Sequence, residues 1–332
     1  KDNWYPFSVE WSIMKQTNTR AMVETAFLAA IVVALTVIGA SLPVLSLLAT
    51  IVAPAAIATV GIRRGVRYSC SAAVVAFVIV SILLGPLTAV GTILMYAVPS
   101  IFIGLGFRKR WSPLKLILVP TLALAVTTII TLLASMSIMS VDLQTSIQNI
   151  GDEVQNTFID TVKQQSLPPE QTELYIQQIQ ASLVQIKRML ITYAFCAFAV
   201  TSYILARFTA YIAKRTNNPV QPLPAISSWQ IPVWTAGVLA IGLIIIYGSS
   251  FVGINNELLT TVGMNIALFG AFACGLNGIA SLLGVLEGYG VSRVLKIVII
   301  ALLYVMMPIS LVTFGVMDMF LDLRSRFNQR GY

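Results

Sequence analysis

ILVPTLALAVTTIITLLASM, residues 117–136, contains no charged side chain and no alternation of polar with apolar residues. As a helix rising 1.5 Å per residue, a block of this length reaches across a hydrocarbon core roughly 30 Å thick. A barrel strand would alternate, and inside lipid every backbone amide needs a partner within its own segment or within a closed sheet. The block therefore reads as a spanning helix. Blocks of the same kind lie on both sides of it, so the fold class is all-α: a polytopic transmembrane helix bundle.

Composition agrees. Hydrophobic residues are 57% of the chain and charged residues 10%, against roughly 25% charged in soluble domains. Histidine is absent, and Cys70, Cys196 and Cys274 sit in separate apolar runs as packing residues, with no Cys-x-x-Cys pair. No metal and no cofactor is expected, although a carboxylate-only metal site stays open. The net charge of +8 comes from basic residues in short loops between spans. They read as orientation signals and not as nucleic-acid contacts.

Hydropathy places spans near 22–42, 45–62, 69–85, 87–107, 116–138, 189–212, 231–250, 258–285 and 294–317. With Lys15 and Arg20 in the cytoplasm of a bacterial inner membrane, Arg63, Arg64 and Arg67 follow the second span on the same side. Arg108, Lys109, Arg110 and Lys115 follow the fourth, Lys214 and Arg215 the sixth, Arg293 and Lys296 the eighth. A ninth crossing would leave Arg324, Arg326 and Arg330 outside. Either part of 255–290 is re-entrant or interfacial, or the last apolar stretch bends near Pro308 and returns, so the count is eight or nine. The first span reads as a retained helix, not a cleaved signal peptide, and Met14-Lys15 as a natural start.

The chain divides into a polar segment 1–18, a five-span bundle 19–139, a polar insertion 140–188, further spans 189–320 and a polar tail 321–332. In the insertion, Ile176, Ile179, Leu183, Ile186 and Leu190 follow a 3-4-3-4 spacing. Leu143, Ile147, Ile150 and Val154 form a stripe before the break at Pro168 and Pro169. This predicts an external helical hairpin, either a covered stalk or a docking element for an envelope protein.

Ala26, Ala30 and Ala34 recur at intervals of four on the first span, a spacing that lets another helix approach closely. That helix is either a neighbour in the same chain or a separate transmembrane subunit. Glu24, Arg207 and Asp318 lie close enough to span ends to be solvated or to snorkel. Without a carboxylate at mid-depth, ion-coupled transport is disfavoured. Tyr96, Asn265 and Asn277 are the polar residues at apolar depth, and Asn277 stands between Gly275 and Gly278, which leave room for close backbone approach. They are the candidate substrate-binding residues, with interhelical hydrogen bonding as the alternative. No nucleophile–base pair and no phosphate loop is visible. Asp318, Asp322 and Arg324 are either an interfacial cluster of a lipid-modifying enzyme or a solvated helix end.

Thr19 to Glu24, the run Arg108-Lys-Arg-Trp-Ser-Pro113, the long insertion, Gly275 to Ala280, and Gly315-x-x-Asp318-x-x-x-Asp322-x-Arg324 together resemble the YybS-like family of bacterial polytopic membrane proteins, a domain of unknown function. The first five spans also look like the S components of energy-coupling-factor vitamin transporters. In those proteins an alanine face on the first span docks on a transmembrane coupling subunit driven by ATPases. The resemblance implies that Ala26, Ala30 and Ala34 dock such a subunit. S components usually have six spans, and this chain continues beyond them. The expectation is a non-enzymatic binding or transport subunit for a small neutral or amphipathic molecule, surrounded by lipid and energised by a partner.

Overall fold

Proline at the first helical position and glycine in the left-handed region punctuate the apolar blocks. A computed structural model describes residues 7–139, 143–164, 169–218, 220–251, 253 and 256–328. Among them the ordered elements are helical: α1 (Phe7–Ser41), α2 (Pro43–Arg64), α3 (Val66–Leu84), α4 (Pro86–Arg108), α5 (Pro113–Met139), α6 (Leu143–Gln164), α7 (Pro169–Arg215), α8 (Trp234–Phe251), α9 (Glu257–Gly288), α10 (Arg293–Met306), α11 (Pro308–Leu321) and α12 (Leu323–Asn328), with a 3-10 turn at Ile226–Ser228. Pro43, Pro86, Pro113, Pro169 and Pro308 each open a helix, where a missing N–H costs nothing. Gly65 and Gly85, at φ of +98° and +90°, are single-residue links that only glycine adopts without strain.

Seven of these helices are long and apolar enough to cross a membrane, and eight if the pair α10 and α11 counts as one span; α8 is shorter. The protein is an all-α polytopic membrane protein. Hydroxyls inside the spans donate to their own helix, as Thr25 does to the Ala21 carbonyl at 2.7 Å, Thr36 to Val32 at 2.8 Å and Thr59 to Ala55 at 2.7 Å. These three hydroxyls are thereby satisfied without water.

Packing separates two units, 1–147 with 197–223 and 148–196 with 224–332. In unit 1, α2 packs on α1 and α4, and α4 on α3 and α5. The α2–α4 contact is glycine to glycine, since a Cβ on Gly104 would lie 2.8 Å from the Ala58 carbonyl oxygen. Val32, Ile57, Val80 and Ile93 are buried at one part of this unit, and Ile103, Phe107, Leu116 and Leu205 at another. Glu24 is held by both Arg63 and Arg64, the latter donating through Nε at 2.9 Å and through its terminal nitrogen at 2.7 Å. A residue expected to be solvated is thus paired across α1 and α2.

In unit 2, α9 is the central element, with α8 on one side and α11 on another. Small residues of α9 let both neighbours approach: a Cβ on Gly270 would meet the Leu239 backbone at 2.5 Å, and one on Gly278 the Leu311 carbonyl oxygen at 1.9 Å. The stretch expected to form a ninth crossing at 294–317 is not one straight helix. It breaks at Met307, and α10 and α11 meet at 112°. Pro308 has no N–H to continue the ladder of α10, and Met307 ends it with φ of −144°. Ser292, which caps α10, follows the end of α9 closely, and Arg324 beyond α11 lies against Gly284 in the last turns of α9. The chain therefore leaves one end of α9 and comes back to the same end. In a background without native cysteines, single cysteines replacing Tyr289 and Arg326 are expected to react with an impermeant thiol reagent from the same side of the membrane, and one replacing Leu258 from the other. Labelling of 289 and 326 from opposite sides would mean a full crossing.

The hairpin helices form as read, but the described part of the stripe on α7 is uneven. Ile176, Ile179 and Leu183 are half-buried, whereas Ile186 and Leu190 are exposed. The side chains of Leu143, Ile147, Ile150 and Val154, and Pro168 as a whole, lie outside the described residues.

Candidate functional site

Two places in unit 2 concentrate polar groups at apolar depth, one closed and one open. The closed one is built where α9, α11 and the segment before α8 meet. Asn277 is 1% exposed, Asp318 5% and Arg324 9%. The Asn277 amide donates to the Gly315 carbonyl at 3.0 Å and to Asp318 Oδ2 at 3.2 Å, and its oxygen accepts from Ile231 N at 3.2 Å and from Arg324 at 3.3 Å. Arg324 donates to Asp318 Oδ2 through Nε at 3.3 Å and Nη2 at 2.8 Å, and through Nη1 to the Ser227 carbonyl at 3.2 Å and the Trp229 carbonyl at 2.6 Å. Its backbone N–H donates to Asp318 Oδ1 at 3.2 Å.

Every donor of the guanidinium and every lone pair and proton of the amide has a protein partner. Such a network is a clasp and offers nothing to a ligand while closed. It forms because α11 ends at Leu321, and Asp322, whose N–H donates to the Asp318 carbonyl, takes the left-handed conformation at φ +45°. That turn sends Arg324 back over the helix end. The i, i+4 spacing of Asp318 and Asp322 would put them on one helix face, but the helix ends between them and they part: Asp322 is exposed and Asp318 is locked to Arg324. The expected solvated helix end is a buried ion pair.

The open site lies among α7, α8 and α9. Phe195 and Phe269 meet in a tilted pair with centroids 6.3 Å apart, and Ile191, Val238 and Ile266 complete the wall of a cleft of about 360 Å³. Thr192 and Asn265 are its only polar lining residues. Thr192 donates to Asn265 Oδ1 at 2.5 Å, and the Asn265 amide donates to the carbonyls of Arg188 at 3.0 Å and Thr261 at 2.8 Å. One turn before Thr192 on α7 and two turns before Asn265 on α9, Arg188 pairs with Glu257. The volume falls within the roughly 300–1,000 Å³ of small-molecule sites, and an apolar wall with few polar groups is their usual character.

A family model described as "Predicted membrane protein (DUF2232)" matches residues 30–319. The chain belongs to this family. The cleft falls within the matched region, as do Asn277 and Asp318 of the clasp, whereas Arg324 lies beyond its end. No curated protein and no solved structure matches the chain.

Of the residues singled out from sequence, Tyr96 is half-buried on α4 against the core of unit 1 that includes Ile93 and Ala97. Asn265 and Asn277 share α9 but lie about 18 Å apart along it, one at the cleft and one in the clasp. Ala26, Ala30 and Ala34 are exposed, while the opposite face of α1, with Ala21, Thr25, Ala29 and Val32, is buried. Sequence reading missed Thr192, Phe195, Phe269 and the Arg188–Glu257 pair. Arg188, Thr192 and Phe195 follow i, i+4, i+7 spacing, as Glu257, Thr261, Asn265 and Phe269 follow i+4 steps, so each face was periodic. Their meeting across helices distant in sequence was not. Among the described residues no three His, Cys, Asp or Glu side chains converge as a metal site would require.

Proposed function

We propose that this protein is a non-enzymatic binding or transport subunit of a bacterial inner membrane that holds an amphipathic molecule in the cleft at Asn265 and is energised by a partner. The observation that carries the proposal is the cleft itself, with an apolar wall, a single amide and an open side. Reaction chemistry has no comparable support: among the described residues the one carboxylate–guanidinium pair buried on both sides, Asp318 with Arg324, is consumed by the clasp. Support for a partner comes from α1. The stripe Ala26, Ala30 and Ala34 is exposed together with Met22, Val23 and Phe27, which suits close approach by a separate transmembrane helix.

Filling the cleft tests the proposal. Ile266→Trp is expected to reduce the amount of lipid or other amphiphile retained by the purified protein about tenfold, read by native mass spectrometry, which corresponds to about 1.4 kcal/mol. Val294→Trp, on exposed α10, is expected to leave it unchanged. Equal retention by both variants would remove the cleft from the account.

A second reading rests on the hairpin, where Phe158, Leu174, Tyr175 and Val184 are exposed on helices that are otherwise polar. An assembly protein would use them to recruit an envelope protein. It would lose that partner on deletion of 143–184 and be indifferent to Ile266→Trp.

A further inference from the structure

The cleft is graded along the helices that form it. Phe195, Phe269 and Ile266 are its floor and Thr192 and Asn265 its neck, and the Arg188–Glu257 pair, outside the lining itself, stands at its rim beside Asn265, whose amide donates to the Arg188 carbonyl. Arg188 precedes Thr192 by one turn on α7, and Glu257 precedes Asn265 by two turns on α9, so charge, amide and hydrocarbon follow one another over about 10 Å on α7. An amphiphile seated here places its chain on the aromatic floor and its head at the rim.

The rim also specifies the head. It presents one guanidinium and one carboxylate, bound to each other, with Glu257 76% exposed in its side chain and Arg188 31%. An exposed pair of this kind is worth at most about 1 kcal/mol, so opening it costs little. A purely anionic head would replace Glu257 on Arg188 but would then face the displaced carboxylate. A neutral head would leave both charges as they are. A head carrying a phosphate and an ammonium replaces both halves of the pair, the phosphate accepting from Arg188 in the forked geometry guanidinium favours and the ammonium donating to Glu257.

Resting on the reading of the cleft as a ligand site, we infer that its ligand is a zwitterionic lipid bearing a phosphate and a primary ammonium, held with its chain along Phe195 and Phe269 and its head across Arg188 and Glu257. Lys187, the neighbouring cation, points elsewhere: its amine lies over Gly151 of α6.

The test is competition in detergent between phosphatidylethanolamine, phosphatidylglycerol and diacylglycerol of identical chains, with the bound lipid read by native mass spectrometry. Phosphatidylethanolamine is expected to be retained about tenfold over the other two, the size of one or two charge-assisted hydrogen bonds. Glu257→Gln should erase the preference over phosphatidylglycerol, and Arg188→Gln should weaken both phospholipids relative to diacylglycerol. The bond from Asn265 reaches the main-chain carbonyl of Arg188 and survives that change. If the three lipids are retained equally but Ile266→Trp expels them all, the headgroup inference is overturned and the cleft stands. If Ile266→Trp expels none, both fall.

Discussion

Asp318→Ala and Arg324→Ala are each expected to destabilise the protein by about 3–5 kcal/mol, because either leaves one buried charge without its partner. The whole stability of a domain is about 5–15 kcal/mol. In a thermal-shift or aggregation assay of the detergent-solubilised protein, the midpoint should fall by on the order of 10 °C. The double variant should be less harmed than the sum of the two, since it removes both charges together. Arg324→Lys keeps the charge but not the fork. An ammonium cannot bridge Asp318, Asn277 and the carbonyls of Ser227 and Trp229 at once, so this variant should lie closer to Arg324→Ala than to the parent. A helix end open to water would respond by no more than about 0.5 kcal/mol. Asp322→Asn supplies that comparison, because Asp322 is exposed and asparagine tolerates its left-handed backbone.

Gly278→Ala and Gly315→Ala carry the second large effect, with an unusual sign. In a helix, glycine to alanine ordinarily stabilises by about 1 kcal/mol. Here a Cβ on Gly278 would lie 1.9 Å from the Leu311 carbonyl oxygen, and one on Gly315 1.9 Å from the Cys274 carbonyl oxygen. Backbone cannot swing aside as a side chain does, so α9 and α11 must separate and the clasp beside them opens. Loss of about 3 kcal/mol or more is expected, from the overpacking together with the weakened network. Gly275→Ala should be neutral or stabilising, since its Cβ would meet only the Val312 side chain at 3.6 Å. The same change three residues apart on one helix thus gives opposite signs. Equal behaviour of Gly275→Ala and Gly278→Ala in a melting experiment would show that the α9–α11 contact is not as described.

Much of the architecture was legible in the chain because lipid imposes a single rule, that each apolar block satisfies its own backbone. The starts of α2, α4 and α5 follow from Pro43, Pro86 and Pro113, and the bend between α10 and α11 from Pro308, which was weighed as one of two ways to bring Arg324 and Arg326 back. Clearer still was Asn277 between Gly275 and Gly278, where room for a close neighbour was expected and α11 supplies it. What could not be read was the partner of each polar group. Asp318 and Arg324 are near in sequence, but their pairing depends on a left-handed residue at Asp322 that no apolar periodicity signals. Arg188 and Glu257 look like ordinary helix-end charges until α7 and α9 are side by side. For Ala26, Ala30 and Ala34 the spacing could not distinguish a neighbour in the chain from a separate one, and only the burial of the opposite face of α1 bears on the choice.

The proposed seat of an amphipathic molecule is the cleft bounded by Phe195, Phe269 and Ile266. A density map of the purified protein in lipid nanodiscs tests it most directly. Elongated non-protein density between α7 and α9, with one end at Arg188 and Glu257, is the expected result. A cleft filled by the side chains of Ile191, Val238 and Ile266 alone, with no other density against Phe195 and Phe269, would contradict it.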